Sequence, residues 1–354
     1  MHPEIIYRIM KKWFLAFFVA ASVLAYGQKA NSYNEIASVS RLELARVIFY
    51  NVENLFDTIN DPTIKDEDFL PESANKWDTK KYMRKQRSIA KVLSALCDSV
   101  QPLVIGLCEV ENRNVLEDLI AQPALKKFKF GIAHINSEDE RGIDAAFLYS
   151  KNLVSELATE KLTVNLGSDK TRDIVCFKGK VREEWPIWFF VNHWPSRREG
   201  EKESEDKRMI ASNALRSKIE DVLAEEPTAR ILIMGDFNDN PNDKSLLNLT
   251  ARKVKAQEPQ SLVNLTKPLY ESGAYTLKHQ GSNHVFDQMI VSGNVLGKKN
   301  KCYISQDGAQ IFNAQWLLYN HAKFGLIPNR TYASGKYVGG YSDHLPVYFD
   351  IVFK

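Results

Sequence analysis

Several short stretches are apolar at nearly every position, and this limits the fold more than any other feature of the chain. Val47-Ile48-Phe49-Tyr50, residues 103–107, residues 185–191 and Ile231-Leu232-Ile233-Met234 lack the alternation of a strand with one wet face. Strand-length runs of this kind need cover on both sides. Between them lie stripes at helical spacing: Ile89, Val92, Leu93 and Leu96; Val115, Leu116, Leu119 and Ile120; Met209, Leu215, Ile219 and Val222. Further strands are expected at 128–132, 145–149, 162–164, 174–177, 286–291 and 347–351. The links between 128 and 177 are too short for repeated helical crossovers, which disfavours a doubly wound parallel sheet. The pattern fits two packed sheets with helices outside, in one mixed α/β domain.

The first 27 residues are expected to be a cleaved signal peptide. Arg8, Lys11 and Lys12 precede an apolar run over 13–25, and Ala25-Tyr26-Gly27 offers small residues at a cleavage site. That run is short for a membrane span of roughly 20 residues. Export to a periplasmic or extracellular space follows, with no membrane span in the mature form. Residues 28–44 read as a polar lead-in and 45–354 as the functional domain. The formal charge of +3 drops further without the leader, so no global attraction to nucleic acid is present. Residues 197–208 read as a charged stretch that cannot bury itself, a loop opening into a helix. Cys97, Cys108, Cys176 and Cys302 show no paired spacing; the first two sit in apolar runs as core filling.

The buried runs end in groups with chemistry. Asn51 and Glu53 follow the first, Glu109 and Glu111 the second, His193 the aromatic run, and Asp236 and Asn238 the run at 231–234. Asp287 and the pair Asp343-His344 complete the set. One core would gather these ends as oxygen donors flanked by two imidazoles, a cluster suited to a hard divalent cation and a phosphate ester. Each residue also has a structural reading. Asp236 and Asn238 fit an Asx turn ahead of Pro241, Glu111 fits a helix cap, and His193 alone fits a core histidine. Asp287 could fix the tautomer of His344.

More peripheral candidates are His284 and Arg141 as phosphate contacts and Asp144 as an orienting carboxylate; surface or turn roles fit them equally. Lys80, Arg84, Arg87 and Lys91 could share one helical face and track phosphates, or form a solvated face. Trp185, Trp188 and Trp194 could help an apolar headgroup or lipid dock, although Trp185 and Trp188 could simply fill the core.

With these strings in view, the chain resembles the endonuclease/exonuclease/phosphatase superfamily. The matching strings are Asn51-Val-Glu-Asn54, Glu109-Val-Glu111, Arg141-Gly-Ile-Asp144, Asn192-His193-Trp-Pro, Gly235-Asp-Phe-Asn238, Phe286-Asp287 and Ser342-Asp-His344, in the family's order over about 46–352. The resemblance implies a four-layer α/β/β/α sandwich of the DNase-I-like type. It implies Mg²⁺, with Mn²⁺ or Ca²⁺ as alternatives, held by Glu109 with Asn51 and Asp343. It implies Asp236 as the group that orients or deprotonates water and Asn238 as a phosphate holder. His344 with Asp287 and His193 would act on the phosphoryl oxygens. The expected activity is phosphodiester hydrolysis of nucleic acid by a monomer. A small phosphate ester or phospholipid headgroup is the alternative substrate, and a non-catalytic cation-binding module the alternative class.

Overall fold

A computed structural model describes residues 44–251, 258–305 and 308–354. The expected signal peptide and nearly all of the lead-in lie outside them. The chain from Ala45 to Lys354 forms one compact unit. It opens with β1 (Leu44–Leu55), β2 (Pro102–Val110), β3 (Phe130–His134) and β4 (Asp144–Ser150). Next come β5 (Val154–Leu162), β6 (Ile174–Val181), β7 (Trp185–His193), β8 (Arg230–Asp236) and β9 (Leu262–Asn264). The hairpin of β10 (Leu277–His279) and β11 (Ser282–His284) leads to β12 (Asp287–Ser292), β13 (Cys302–Ile304) and β14 (Gln310–Ile311). Two more hairpins, β15 (Leu318–His321) with β16 (Gly325–Pro328) and β17 (Tyr332–Ala333) with β18 (Lys336–Tyr337), precede β19 (Val347–Phe353).

The long strands make two sheets, ordered β13-β19-β1-β2-β4-β3, with β14 also on β19, and β5-β6-β7-β8-β12-β9. Side-chain direction explains the unbroken apolar runs. Val47 and Phe49 of β1 and Leu232 and Met234 of β8 enter the core between the sheets. Their neighbours Ile48 and Tyr50 pack outward among Ile89, Leu93 and Val115. Ile231 and Ile233 pack outward among Leu215, Ile219 and Leu246. Helices Thr79–Cys97 and Arg113–Ile120 thus cover the first sheet, and Glu205–Glu225 and Lys244–Thr250 the second. Asp78 and Asn112 cap the first two by accepting from Lys81 N and Val115 N. The four layers are those expected. Gly106 lets the sheets approach, because a Cβ there would stand 2.6 Å from Met234 Sδ.

Some expectations shift. The strand placed at 162–164 is the end of β5, which stops at Leu162. The charged stretch 197–208 does bury its end: Arg208 is sealed by Asp239 (2.8 Å), Ser204 Oγ (2.6 Å) and Glu201 O (2.8 Å). An ion pair and two guanidinium hydrogen bonds make that burial tolerable where a lone charge would not be. Lys80, Arg84, Arg87 and Lys91 on the first helix are all exposed, as a solvated face requires. Two of them also reach the segment before β19: Arg84 donates to Gly339 O, and Lys91 lies 4.4 Å over Trp316 and bonds Tyr341 Oη. Trp194 is fully buried against Phe237 and Trp185 is nearly so, which removes both as headgroup docks.

Candidate active site

The parallel pairs β1–β2 and β7–β8 carry their C-terminal ends to one edge of the two sheets. Asn51, Glu109, His193 and Asp236 sit at those ends. Asp287 begins β12 opposite Asp236, and a bridge between Leu277 and His344 brings the last histidine to the same edge. Two bulges refine the placement. Pairing of β1 with β2 slips between Asn51 and Leu55, and pairing of β2 with β4 slips between Cys108 and Val110. Glu53, Asn54 and Glu109 take left-handed backbone there (φ 53, 52 and 62), as does Asn238 (φ 50). Non-glycine residues held in this region gather at functional sites, where surrounding structure supports the strain.

Asn51 is the hub. Its Nδ2 donates to Asp236 Oδ2 (3.0 Å) and approaches Glu109 Oε1 (3.4 Å), while its Oδ1 accepts from Glu53 N (2.9 Å). Glu109 Oε2 accepts from Asn54 N (2.9 Å). His193 Nε2 stands 3.9 Å from Glu109 Oε1 and 3.7 Å from Asp236 Oδ2, and His344 Nε2 stands 3.7 Å from that same Asp236 oxygen. His344 Nδ1 pairs with Asp287 Oδ2 at 2.7 Å. Asn238 N donates to Asp236 Oδ1 (2.9 Å), but Asn238 Nδ2 goes to Trp194 O (3.0 Å), so its amide braces the β7 end.

Electrostatics separates the two imidazoles. Burial, then the Arg172 and Arg141 charges, holds His193 well below its usual value, and it is neutral. Burial alone would lower His344 as well, yet Asp287 and Asp236 overcome it and hold His344 well above. Burial raises Asp236 to about 6 although His344 opposes the rise. A charged imidazole, a neutral one and a carboxylate that ionises near pH 6 are groups fit for proton movement.

The remaining candidates divide. Arg141 reaches the edge and donates to Asn54 Oδ1 (2.6 Å). Glu111 points away from Glu109 and accepts from Asp57 N (2.6 Å), where burial raises it to about 8. Asp144 holds His134 Nε2 at 2.8 Å and accepts from Ser137 N at 2.8 Å, so it orients a histidine. His284 lies to one side, tilted against Phe286 and 3.4 Å from Asn240 Nδ2. Asp343 is bound by Arg330 at 2.9 Å, and Glu53 turns to Thr331 N (2.6 Å), Arg330 (3.3 Å) and buried Lys85 (3.8 Å). Arg172 was missed by sequence reasoning. Buried under the β7 end, it donates to His193 O (3.2 Å) and Trp194 O (2.7 Å) and pairs with Asp139 (3.2 Å).

A hard cation fits this donor set in part. Among the described residues no group of three or more His, Cys, Asp or Glu stands at metal-binding spacing. Glu109 Oε1 nevertheless has only a long hydrogen bond from Asn51, with His193 Nε2 at 3.9 Å, and retains acceptor capacity. Asn51 now presents its amide nitrogen between two carboxylates, the place of a positive charge, and Asp343 is occupied by Arg330. Mg²⁺ needs few protein ligands because it keeps waters and takes phosphate oxygens, so one free carboxylate with neighbours that can turn is a compatible setting.

Residues 46–352 match the Endonuclease/Exonuclease/phosphatase family, and the chain belongs to it. It is a hydrolase of the phosphoesterase class, in a family whose enzymes generally use divalent metals. Solved structures share the fold at low identity. The mannosyl-6-phosphatase Bt3783 of Bacteroides thetaiotaomicron is 14% identical with a TM-score of 0.54, over 87% of this chain and 100% of that one. D. rerio TDP2 complexed with a single-strand DNA product is 14% identical with a TM-score of 0.53, over 87% and 98%. The human Nocturnin catalytic domain with a bound sulfate anion is 15% identical with a TM-score of 0.52, over 88% and 95%. No curated protein matches the chain.

Proposed function

We propose that this chain is an exported, divalent-metal-dependent phosphodiesterase acting on nucleic acid strands, with residues 45–354 as its catalytic domain. The observation that carries the reading is the meeting of Glu109, Asp236, His193 and His344 around Asn51. Asp236 Oδ2 takes the proton of the attacking water, and Asn51 with Asn238 N fixes the direction in which that carboxylate faces. His344, charged and held by Asp287, donates from Nε2 to the oxygen on which charge accumulates. Neutral His193 and the Arg141 fork complete the binding of the phosphoryl oxygens. Glu109 would hold the cation with Asn51, and Asp343 could join only by leaving Arg330. When bound there, a divalent cation would supply Lewis-acid polarisation of a phosphoryl oxygen and charge stabilisation for the leaving oxygen.

Two cavities adjoin residues that contact the cluster: one of about 190 Å³ lined by Asn54, Phe69, Tyr332 and Arg330, and one of about 300 Å³ lined by Arg172 and Arg198. Export is supported by the basic and apolar leader at 1–27, and no described helix is long and apolar enough to cross a membrane. The test is a panel of single-stranded and plasmid DNA, RNA, p-nitrophenyl phosphate and sphingomyelin, with Mg²⁺, Mn²⁺ or chelator and an Asp236→Asn control. Metal-dependent cleavage of a nucleic acid ahead of the monoester is expected. A preference for the monoester or the lipid would overturn the substrate, and tight cation binding without any hydrolysis would overturn the enzyme.

A further inference from the structure

Arg330 stands between two carboxylates at the rim of the active edge. Its Nε donates to Glu53 Oε1 at 3.3 Å and its Nη2 to Asp343 Oδ2 at 2.9 Å. The two anchors differ. Glu53 is buried and is itself fixed, by Thr331 N at 2.6 Å and by Lys85 Nζ at 3.8 Å. The Asp343 side chain is 25% exposed, and Arg330 is its one partner among the described residues. The Arg330 backbone is held in place, since Gly340 N donates to its carbonyl at 3.2 Å and Thr331 N to Glu53. Its side chain, half exposed, lines the cavity of about 190 Å³ and has room to turn. One end of the contact is therefore fixed and the other is releasable.

Charge explains why the guanidinium stays. Burial works against it, yet Asp343, Glu53 and Glu109 together hold Arg330 above its ordinary value. Glu109 is also the carboxylate with acceptor capacity for a cation, so the field that retains Arg330 is the field that attracts an ion. An ion on Asp343 Oδ2 needs the oxygen that Arg330 takes. An ion on Oδ1 would put two positive groups on one carboxylate, and like charges so close repel strongly away from bulk water. In both geometries Arg330 opposes the ion.

We propose that Arg330 is a tethered counter-cation of this site: anchored on Glu53, it competes with the divalent ion for Asp343 and sets how tightly that ion binds. The inference rests on the metal-dependent phosphodiesterase reading and adds to it the residue that tunes ion affinity. On release from Asp343 the guanidinium keeps its Glu53 anchor, and the cavity it lines gives it space. Binding is then an exchange of one cation for another, in which the carboxylates are never left uncompensated.

The test titrates Mn²⁺ into the purified chain, without substrate, by calorimetry and by the electron paramagnetic resonance signal of the free ion. Arg330→Gln is expected to bind Mn²⁺ about five- to tenfold more tightly than wild type, the scale on which a partly exposed ion pair shifts affinity. Arg330→Lys keeps the charge and should stay within about twofold of wild type. In an Asp343→Asn background the gain from Arg330→Gln should shrink to about twofold or less, because the two residues act as a pair. Thermal melts read the same exchange. In chelator, Arg330→Gln should melt below wild type, and saturating Mg²⁺ should raise its melting temperature by more than it raises that of wild type. Arg330→Ala, a second neutral variant, decides the direction if Arg330→Gln fails to fold. Equal or weaker Mn²⁺ binding by a folded neutral variant overturns the proposal. So does a gain that survives intact in Asp343→Asn, or the absence of Mn²⁺ binding by every form. Tighter binding by the neutral variants of a chain that hydrolyses no phosphate ester supports the counter-cation and overturns the phosphodiesterase reading alone.

Discussion

Asp287→Asn removes one charge from the site and almost no volume, so its effect isolates electrostatics. Asp287 is fully buried, its Oδ2 lies 2.7 Å from His344 Nδ1, and its Oδ1 has no partner. A hydrogen bond to a charged group contributes about 1.5–3 kcal/mol, and losing that from the transition state reduces kcat/KM roughly 10- to 150-fold. The pH profile should move in one direction at both ends. Without the carboxylate, burial dominates His344, so its proton is lost at lower pH and the alkaline fall in rate arrives earlier. Asp287 also raises Asp236, whose value is about 6, so the acid limb shifts downward too. Stability follows the same logic. A histidine held above its unfolded value stabilises the fold at pH below that unfolded value, and this contribution fades as pH rises through the folded value. The melting-temperature gap between wild type and variant should therefore be wider at pH 5.5 than at pH 9 (roughly one unit below and well above an ordinary histidine). The assays are pH–rate profiles on a chromogenic diester and thermal melts by circular dichroism. An unchanged rate and an unshifted profile in a folded variant would refute the argument that Asp287 sets the charge of His344.

Other perturbations probe the frame. Gly106→Ala puts a Cβ 2.6 Å from Met234 Sδ and 3.2 Å from Val191 Cγ2, and should cost about 1–3 kcal/mol in urea unfolding. Gly235→Ala meets the Asn192 carbonyl oxygen at 2.4 Å, so it should destabilise at least as much and also cut activity by displacing Asp236; wild-type rates would contradict this. Glu111→Gln should flatten the pH dependence of melting. Burial holds Glu111 at about 8 in the fold against an ordinary value of 4.5, so wild-type stability should decline as pH rises between those values; parallel slopes would exclude that cause. All four cysteines are buried free thiols, and burial pushes Cys176 and Cys302 up to about 12. Reductant should leave the melting temperature unchanged, and alkylation should need denaturant; rapid labelling of folded protein would count against the packing.

Much of the frame could be read from local pattern. Val47-Ile48-Phe49-Tyr50 and Ile231-Leu232-Ile233-Met234 demand two covered faces, and the structure gives each a sheet on one side and helices on the other. The polar strand ends could be read as well, because a group that follows a buried strand arrives at the sheet edge wherever that strand lies. Local pattern misled where a bulge changed the period. Glu53 shares the spacing of Asn51 but, with left-handed backbone, turns to Thr331 and Lys85. It also failed for Arg208, whose ion-pair partner Asp239 lies 31 residues further along the chain.

The amino-acid order by itself determined the layer architecture and the roll of acids, amides and imidazoles at the strand ends, because side-chain direction within a strand or helix is a local property. Tertiary structure alone decided which of those groups meet and in what charge state. Asn51 joins Asp236 and Glu109, Arg330 claims Asp343, and Arg172 lies beneath His193. These pairings depend on sheet order and bulge position across most of the chain. The different charge states of His193 and His344 depend on burial and on nearby charged neighbours, which exist only once the sheets have packed.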